Sequence, residues 1–183
     1  VARFFGVPFL KGPAQAVTAI HLCPERVYLA TIRDGSELQV ANRLTRQILD
    51  LGELASASMV AFRPRVPGAE AAELAMVEPA RGHLVRYDLR GGRSLPGLPC
   101  LEATALQYSV DGQFLAAGSR TGMVRVWHLG PEGPLTVLEA NVKAEVESLV
   151  FHPEHPTLYA VLASGALAEL PLAPGPAASV VAA

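Results

Sequence analysis

Lysine is almost missing from this chain. Lys11 and Lys143 stand alone against thirteen arginines. Arginine favours planar, bidentate contacts with carboxylates and phosphates, although codon composition produces the same bias. Cysteine is as scarce. Cys23 and Cys100 show no C-x-x-C spacing and no paired histidines accompany them, so neither a disulfide framework nor a zinc site is expected. A reducing, intracellular compartment, cytoplasmic or nuclear, is the default. Charge is also thin: 17% of residues are charged and the net charge is -2, which leaves no general affinity for nucleic acid or acidic membranes. No apolar run approaches the ~18 residues that a membrane span requires. The opening VARFFGVPFL lacks the basic stretch and small-residue cleavage site of a signal peptide. It also begins at Val1 rather than methionine, and the expectation is a processed product or a piece of a longer chain.

Hydrophobic residues make up 50% of the chain, enough for a sizeable core. The clearest local pattern is DGQFLAAGSRTGMVRVWH at residues 111–128, which ends beside the only tryptophan. Laid over the rest of the chain, it recurs. Apolar strands ending at Leu22, Phe62, Tyr108 and Phe151 are spaced 40, 46 and 43 residues apart. A turn glycine recurs at Gly35, Gly82, Gly122 and Gly165, spaced 47, 40 and 43. Five residues after each glycine come Val40, Tyr87, Trp127 and Leu170. Three landmarks repeat in one order.

Each unit reads as β-structure. In VRVWH, Val124 and Val126 alternate with Arg125 and Trp127, the period of two of a strand. Asp111-Gly112 supplies a tight turn between the first and second strands, and Thr121-Gly122 another between the second and third. LTVLE, beyond the Gly-Pro-rich LGPEGP, supplies a fourth strand. GAEAAELAMV reads as a loop insertion at 67–71 followed by a strand, and residues 179–182 as a short strand closing the last unit. Four strands per 40 to 45 residues is the pattern of a propeller blade. The fold class expected is all-β: a β-propeller of four-stranded antiparallel blades, about four of them. The boundaries read as 12–51, 52–96, 97–138 and 139–183, with 1–11 as an outer strand of a preceding blade.

These residues resemble the WD-repeat family. The third repeat is the most specific, with Asp111-Gly112, AAGSRTG and Trp127. The family's terminal Trp-Asp stands here as Trp127-His128 and Tyr87-Asp88, and decays to Val40-Ala41 and Leu170-Pro171. Its Gly-His dipeptide decays to Gly12-Pro13, Gly52-Glu53, Gly97-Leu98 and Asn141-Val142, so histidine is missing from all four. The resemblance implies a buried chain from that histidine to a turn aspartate and the tryptophan indole. Asp34 is the only aspartate at the turn position. Without its histidine it should face solvent or cap its own turn, because a buried unpaired carboxylate is costly. The resemblance also implies a ring of most often seven blades, so the chain reads as the C-terminal part of a larger propeller, or a half that docks on another half. An open half would leave apolar blade faces bare.

Catalytic patterns come out empty. His21, His83, His128, His152 and His155 lack metal-ligand spacing, and no nucleophile elbow, P-loop or dinucleotide fingerprint is present. No cofactor, no metal and no enzyme activity are expected. One positive signal remains: Arg33, Arg81 and Arg120 fall at or beside the turns between second and third strands, an arc of guanidinium groups suited to a binding partner. The function expected is a non-catalytic WD-repeat scaffold that holds other protein subunits, including the rest of a propeller, in a multiprotein complex. The alternative is binding of RNA, a ribonucleoprotein or an acidic peptide through the arginine arc. A propeller enzyme, which needs carboxylates or histidines from several blades around a metal, ranks last.

Overall fold

The computed structural model describes residues 16–51, 54, 56–65, 72–78, 83–100, 102–172 and 179–181. Among the described residues, sixteen strands form four antiparallel sheets, each strand pairing with its neighbours in chain order. Sheet one holds β1 (Val17–Leu22), β2 (Tyr28–Arg33), β3 (Glu37–Asn42) and β4 (Gln47–Leu49). Sheet two holds β5 (Met59–Phe62), β6 (Glu73–Glu78), β7 (His83–Asp88) and β8 (Arg93–Leu98). Sheet three holds β9 (Ala103–Tyr108), β10 (Phe114–Ser119), β11 (Met123–Gly130) and β12 (Gly133–Asn141). Sheet four holds β13 (Val146–Phe151), β14 (Thr157–Leu162), β15 (Leu167–Pro171) and β16 (Ser179–Val181). The expected all-β architecture of about four four-stranded blades is present. LTVLE falls inside β12, the ELAMV of GAEAAELAMV inside β6, and the closing strand is β16. Residues 1–11 and 67–71 lie outside the described residues.

Alternation along each strand gives the sheets two buried faces, and three cores fill the spaces between successive sheets. Between sheets one and two lie Tyr28, Ile32, Val40, Leu74 and Tyr87. Between sheets two and three lie Val77, Leu84, Tyr108, Leu115 and Trp127. Between sheets three and four lie Val124, Val126, Phe151, Leu158 and Leu170. Val126 and Trp127, adjacent in β11, thus belong to different cores, as the period of two requires. The first strands approach one another in succession, β1 to β5, β5 to β9 and β9 to β13. This is the arrangement of blades about an axis, with the first strand of each innermost.

Leu22, Phe62, Tyr108 and Phe151 each end the first strand of a sheet. In three sheets they open one cross-strand row: Phe62–Leu74–Tyr87, Tyr108–Leu115–Trp127 and Phe151–Leu158–Leu170. Sheet one departs from the expected alignment. Its row runs Leu22–Leu29–Ala41, so Ala41 takes the place of Trp127, and Val40 points the other way, toward sheet two. The cause is one residue in the turn. Gly122 and Gly165 each take the third place of a three-residue loop and donate back to Ser119 and Leu162 at 3.1 and 2.8 Å. In sheet one Ser36 takes that place, donating to Arg33 at 3.0 Å, while Asp34 and Gly35 carry the left-handed φ of 44° and 77°. A one-residue slip moves a side chain to the opposite face.

The outward faces of the end sheets are apolar. Ile20 and Leu22 of sheet one are 65% and 48% exposed, and Val150 and Leu167 of sheet four 55% and 42%.

Candidate functional site

Every sheet has two edges of turns. One carries the turns between second and third strands, where Arg33, Arg81 and Arg120 were expected. Arg33 is the last residue of β2 and is buried, its Nη2 donating to Oε1 of Gln39 at 2.9 Å. Arg120 projects into solvent with its Nε 3.9 Å from the Glu145 carboxylate. Arg81 and Gly82 lie outside the described residues. Of the two described arginines, then, one is spent inside a sheet and the other lies exposed beside Glu145.

The landmark residues serve their own blades. Asp34 is exposed, and its backbone N–H donates to Ala16 at 2.9 Å. Asp88 is buried and accepts from the backbone N–H groups of Arg90 and Gly91 at 3.0 and 3.1 Å, holding the turn after β7. Asp111 accepts from the Ser109 hydroxyl at 2.5 Å and from the Gln113 N–H at 3.0 Å, while the Gly112 N–H closes the turn onto Ser109 at 2.9 Å. Trp127 is buried in the core between sheets two and three, and a polar network crosses the same interface.

That network is built on Glu73, which opens β6 with its carboxylate sealed from solvent. Oε1 accepts from Arg86 Nε at 2.5 Å and from the Tyr108 hydroxyl at 2.8 Å. Oε2 accepts from Arg86 Nη2 at 3.1 Å and from Arg63 Nη1 at 3.0 Å. Arg63 then crosses to sheet three, donating to the carbonyls of Gly112 at 2.7 Å and Leu129 at 3.1 Å. Burial pushes the Glu73 carboxyl up, but the Arg86 guanidinium, the Tyr108 hydroxyl and the charge of Arg63 outweigh it and hold it below its ordinary value. Burial would lower Arg86, and its bonds and charge pairing with Glu73 raise it instead. Burial, then the neighbouring Glu73 charge, lifts the Tyr108 phenol well above its ordinary value. Two cations, one carboxylate and one neutral phenol thus tie sheets two and three together.

The second edge carries the turns after first and third strands, and a cleft on it lies between sheets three and four. It encloses about 390 Å³. Phe114, Phe151 and Leu172 supply apolar walls, and Asp111, Glu154, His152 and His155 the polar ones. Val110, 70% exposed at the turn after β9, stands at its mouth. His152 fixes the turn PEHP: its Nδ1 accepts from the N–H groups of Glu154 and His155 at 3.1 and 3.0 Å, which leaves its proton on Nε2. The His155 ring stacks on it with centroids 4.5 Å apart. An apolar hollow with a few convergent polar groups is suited to a side chain or loop of another molecule.

Residues 151–156, FHPEHP, carry the chain round a turn, and the cleft beside it was not expected from the sequence. The signal was Val110, an apolar residue placed in a tight turn. The Glu73 network was missed too, although a glutamate beside LAMV and an arginine between Val85 and Tyr87 break otherwise apolar strands. Among the described residues no group of three or more His, Cys, Asp or Glu could hold a metal ion, and no helix is long and apolar enough to cross a membrane.

Residues 100–128 match the family model of the WD domain, G-beta repeat. The match spans β9, β10 and β11 as far as His128, the stretch in which the repeat is best preserved. Together with four consecutive antiparallel four-stranded sheets, it is consistent with a WD-repeat propeller. No curated protein matches the chain.

Proposed function

We propose that this chain is a non-catalytic scaffold, part of a WD-repeat propeller that holds other protein subunits in an intracellular complex. The observation that carries the reading is the pair of bare apolar faces on the end sheets, Ile20, Leu22 and Ile48 on one and Val150, Val161 and Leu167 on the other. Contiguous apolar surface of this kind marks an interaction site, because leaving it in water forgoes about 25 cal/mol per Å² of burial. Further blades or another subunit would cover these faces, while the rigid sheets present the turns of both edges to additional partners. Two free, buried cysteines, Cys23 and Cys100, suit a reducing compartment.

The test is sedimentation and crosslinking in native extract of the chain and of its Ile20→Asp and Val150→Asp variants. Loss of the higher-mass species, with the β-sheet signal in circular dichroism retained, is expected. A chain that sediments alone with and without the substitutions would remove the reading.

A further inference from the structure

The turns after the first and third strands lie on one side of the molecule in all four sheets. A small cleft joins sheet one (Glu25, Val27) to sheet two (Arg63, Arg90), Arg63 bonds the turn of sheet three, and the larger cleft joins sheets three and four. Charge on this side is sharply divided. In sheets one and two it carries Arg26, Arg43, Arg46, Arg65, Arg90 and Arg93, all exposed, against a single exposed acid among the described residues, Glu25. In sheets three and four it carries Asp111, Glu132 and Glu154, with no lysine or arginine among the described residues. A chain whose net charge is only -2 therefore concentrates its arginines on half of one face.

The backbone beneath them is unusual. Arg26 and Arg46 have φ of 59° and 60°, the left-handed region where a glycine or asparagine would be at ease. Arg43 donates to the Arg26 carbonyl at 2.7 Å and so binds the two turns of sheet one together. Glu102 and Lys143, beside the opposite edge, share this left-handed φ, so what sets the arginine turns apart is that Arg43 fastens one to the other and so fixes the spacing of their guanidinium groups.

We infer that this arginine-rich half of the face binds an acidic segment of a partner protein. Guanidinium groups match carboxylates in planar, two-point contacts. Single-stranded nucleic acid fits less well. Tyr28 and Tyr87 are buried and Phe62 packs half-buried against the core between sheets one and two, so among the described residues no fully exposed aromatic ring lies beside the patch for base stacking. A phosphate backbone running on would also meet the acidic half, whereas a polypeptide changes its charge along its length and can match both. The inference rests on the scaffold reading only in taking a protein as the partner; it does not involve the outward faces of the end sheets.

The experiment uses the whole chain and three fluorescent probes: a short Asp/Glu peptide ending in lysines, a Ser/Gly peptide of the same length, and a single-stranded RNA. Anisotropy is read at about 50 and about 200 mM salt, since exposed charge pairs weaken as the screening length shrinks. The acidic peptide should bind most tightly and weaken with salt. Arg46→Glu with Arg65→Glu should reduce its affinity about tenfold or more, as loss of charge-assisted contacts requires. Arg120→Glu, on the opposite edge, should leave it unchanged. Equal binding of both peptides, tighter binding of RNA, or indifference to the double reversal each overturns the inference. None of these outcomes alters the sedimentation result for Ile20→Asp and Val150→Asp, so the two readings fail separately.

Discussion

The phenol of Tyr108, at the end of the first strand of sheet three, donates a 2.8 Å hydrogen bond to Oε1 of Glu73, which opens the second strand of sheet two. The contact joins two blades through a carboxylate that has no access to water, and three more bonds from Arg86 and Arg63 complete its shell. A buried charge is tolerable only when paired and fully bonded, so the members of this group depend on each other.

Glu73→Gln should therefore destabilise the chain by about 3–5 kcal/mol, because it leaves two arginines facing a neutral amide. The same carboxyl gives the stability a pH dependence. Its pKa is lower in the folded than in the unfolded chain, so its contribution is complete above the unfolded value and is lost as pH falls through the folded one. Urea midpoints measured from neutral pH downward should fall below the ordinary carboxylate range, and more steeply for the natural chain than for Glu73→Gln. Parallel curves would show that Glu73 is not the titrating group.

Tyr108→Phe isolates one bond. The ring keeps its place among Leu115, Trp127 and Leu84 in the core between sheets two and three, and only the hydroxyl is lost. The expected cost is about 1.5–3 kcal/mol, the range for a hydrogen bond to a charged partner. Denaturant unfolding reads it directly. A change within error of zero would mean that Arg86 and Arg63 satisfy the carboxylate alone.

Much of this architecture is visible in the sequence and some of it is not, for physical reasons. Phe62, Tyr108 and Phe151 could be aligned because each ends a first strand and packs into a core, so apolar character and spacing are both constrained, while Leu22 keeps the same place on the bare outer face of sheet one. Gly122 and Gly165 could be aligned because the third place of their turn requires left-handed backbone, with φ of 82° at both. Sheet one slipped by a residue because Asp34 carries that conformation as well as Gly35, and a glycine then no longer marks the register. The Glu73 network spans sheets, and no local pattern reports which charged residues will meet across an interface. The arginine half of the turn face was hidden for a related reason. Arg26, Arg43, Arg65 and Arg90 sit at unrelated places in the repeat and come together only when the turns of two sheets are brought side by side.

Trp127 offers a reporter of the interface between sheets two and three. It is the only tryptophan and is 1% exposed. Its emission should be blue-shifted and poorly quenched by acrylamide in the folded chain, and should shift red in one step with unfolding of that interface. Trp127→Ala should cost about 3–5 kcal/mol, the usual penalty for emptying a large aromatic site. Early quenching at low denaturant, before the circular dichroism changes, would mean that this core opens ahead of the rest.

Gly122→Ala and Gly35→Ala separate backbone strain from crowding. Both glycines have left-handed φ, 82° and 77°, so an alanine at either incurs the same conformational penalty of about 1–2 kcal/mol. A Cβ at Gly35 meets nothing within 4 Å, whereas one at Gly122 lies 2.9 Å from both the backbone nitrogen and the carbonyl oxygen of Ala144. Backbone cannot rotate away as a side chain can, so the segment leading into sheet four must shift. The Gly122 N–H and carbonyl are also both committed, to Ser119 at 3.1 Å and to the Val142 N–H at 2.9 Å, which leaves the turn little freedom to relax. Gly122→Ala should accordingly lose about 1–3 kcal/mol more than Gly35→Ala, the usual range for overpacking. Urea midpoints of the two variants measured side by side decide it, and equal losses would mean that sheet four does not press on this turn.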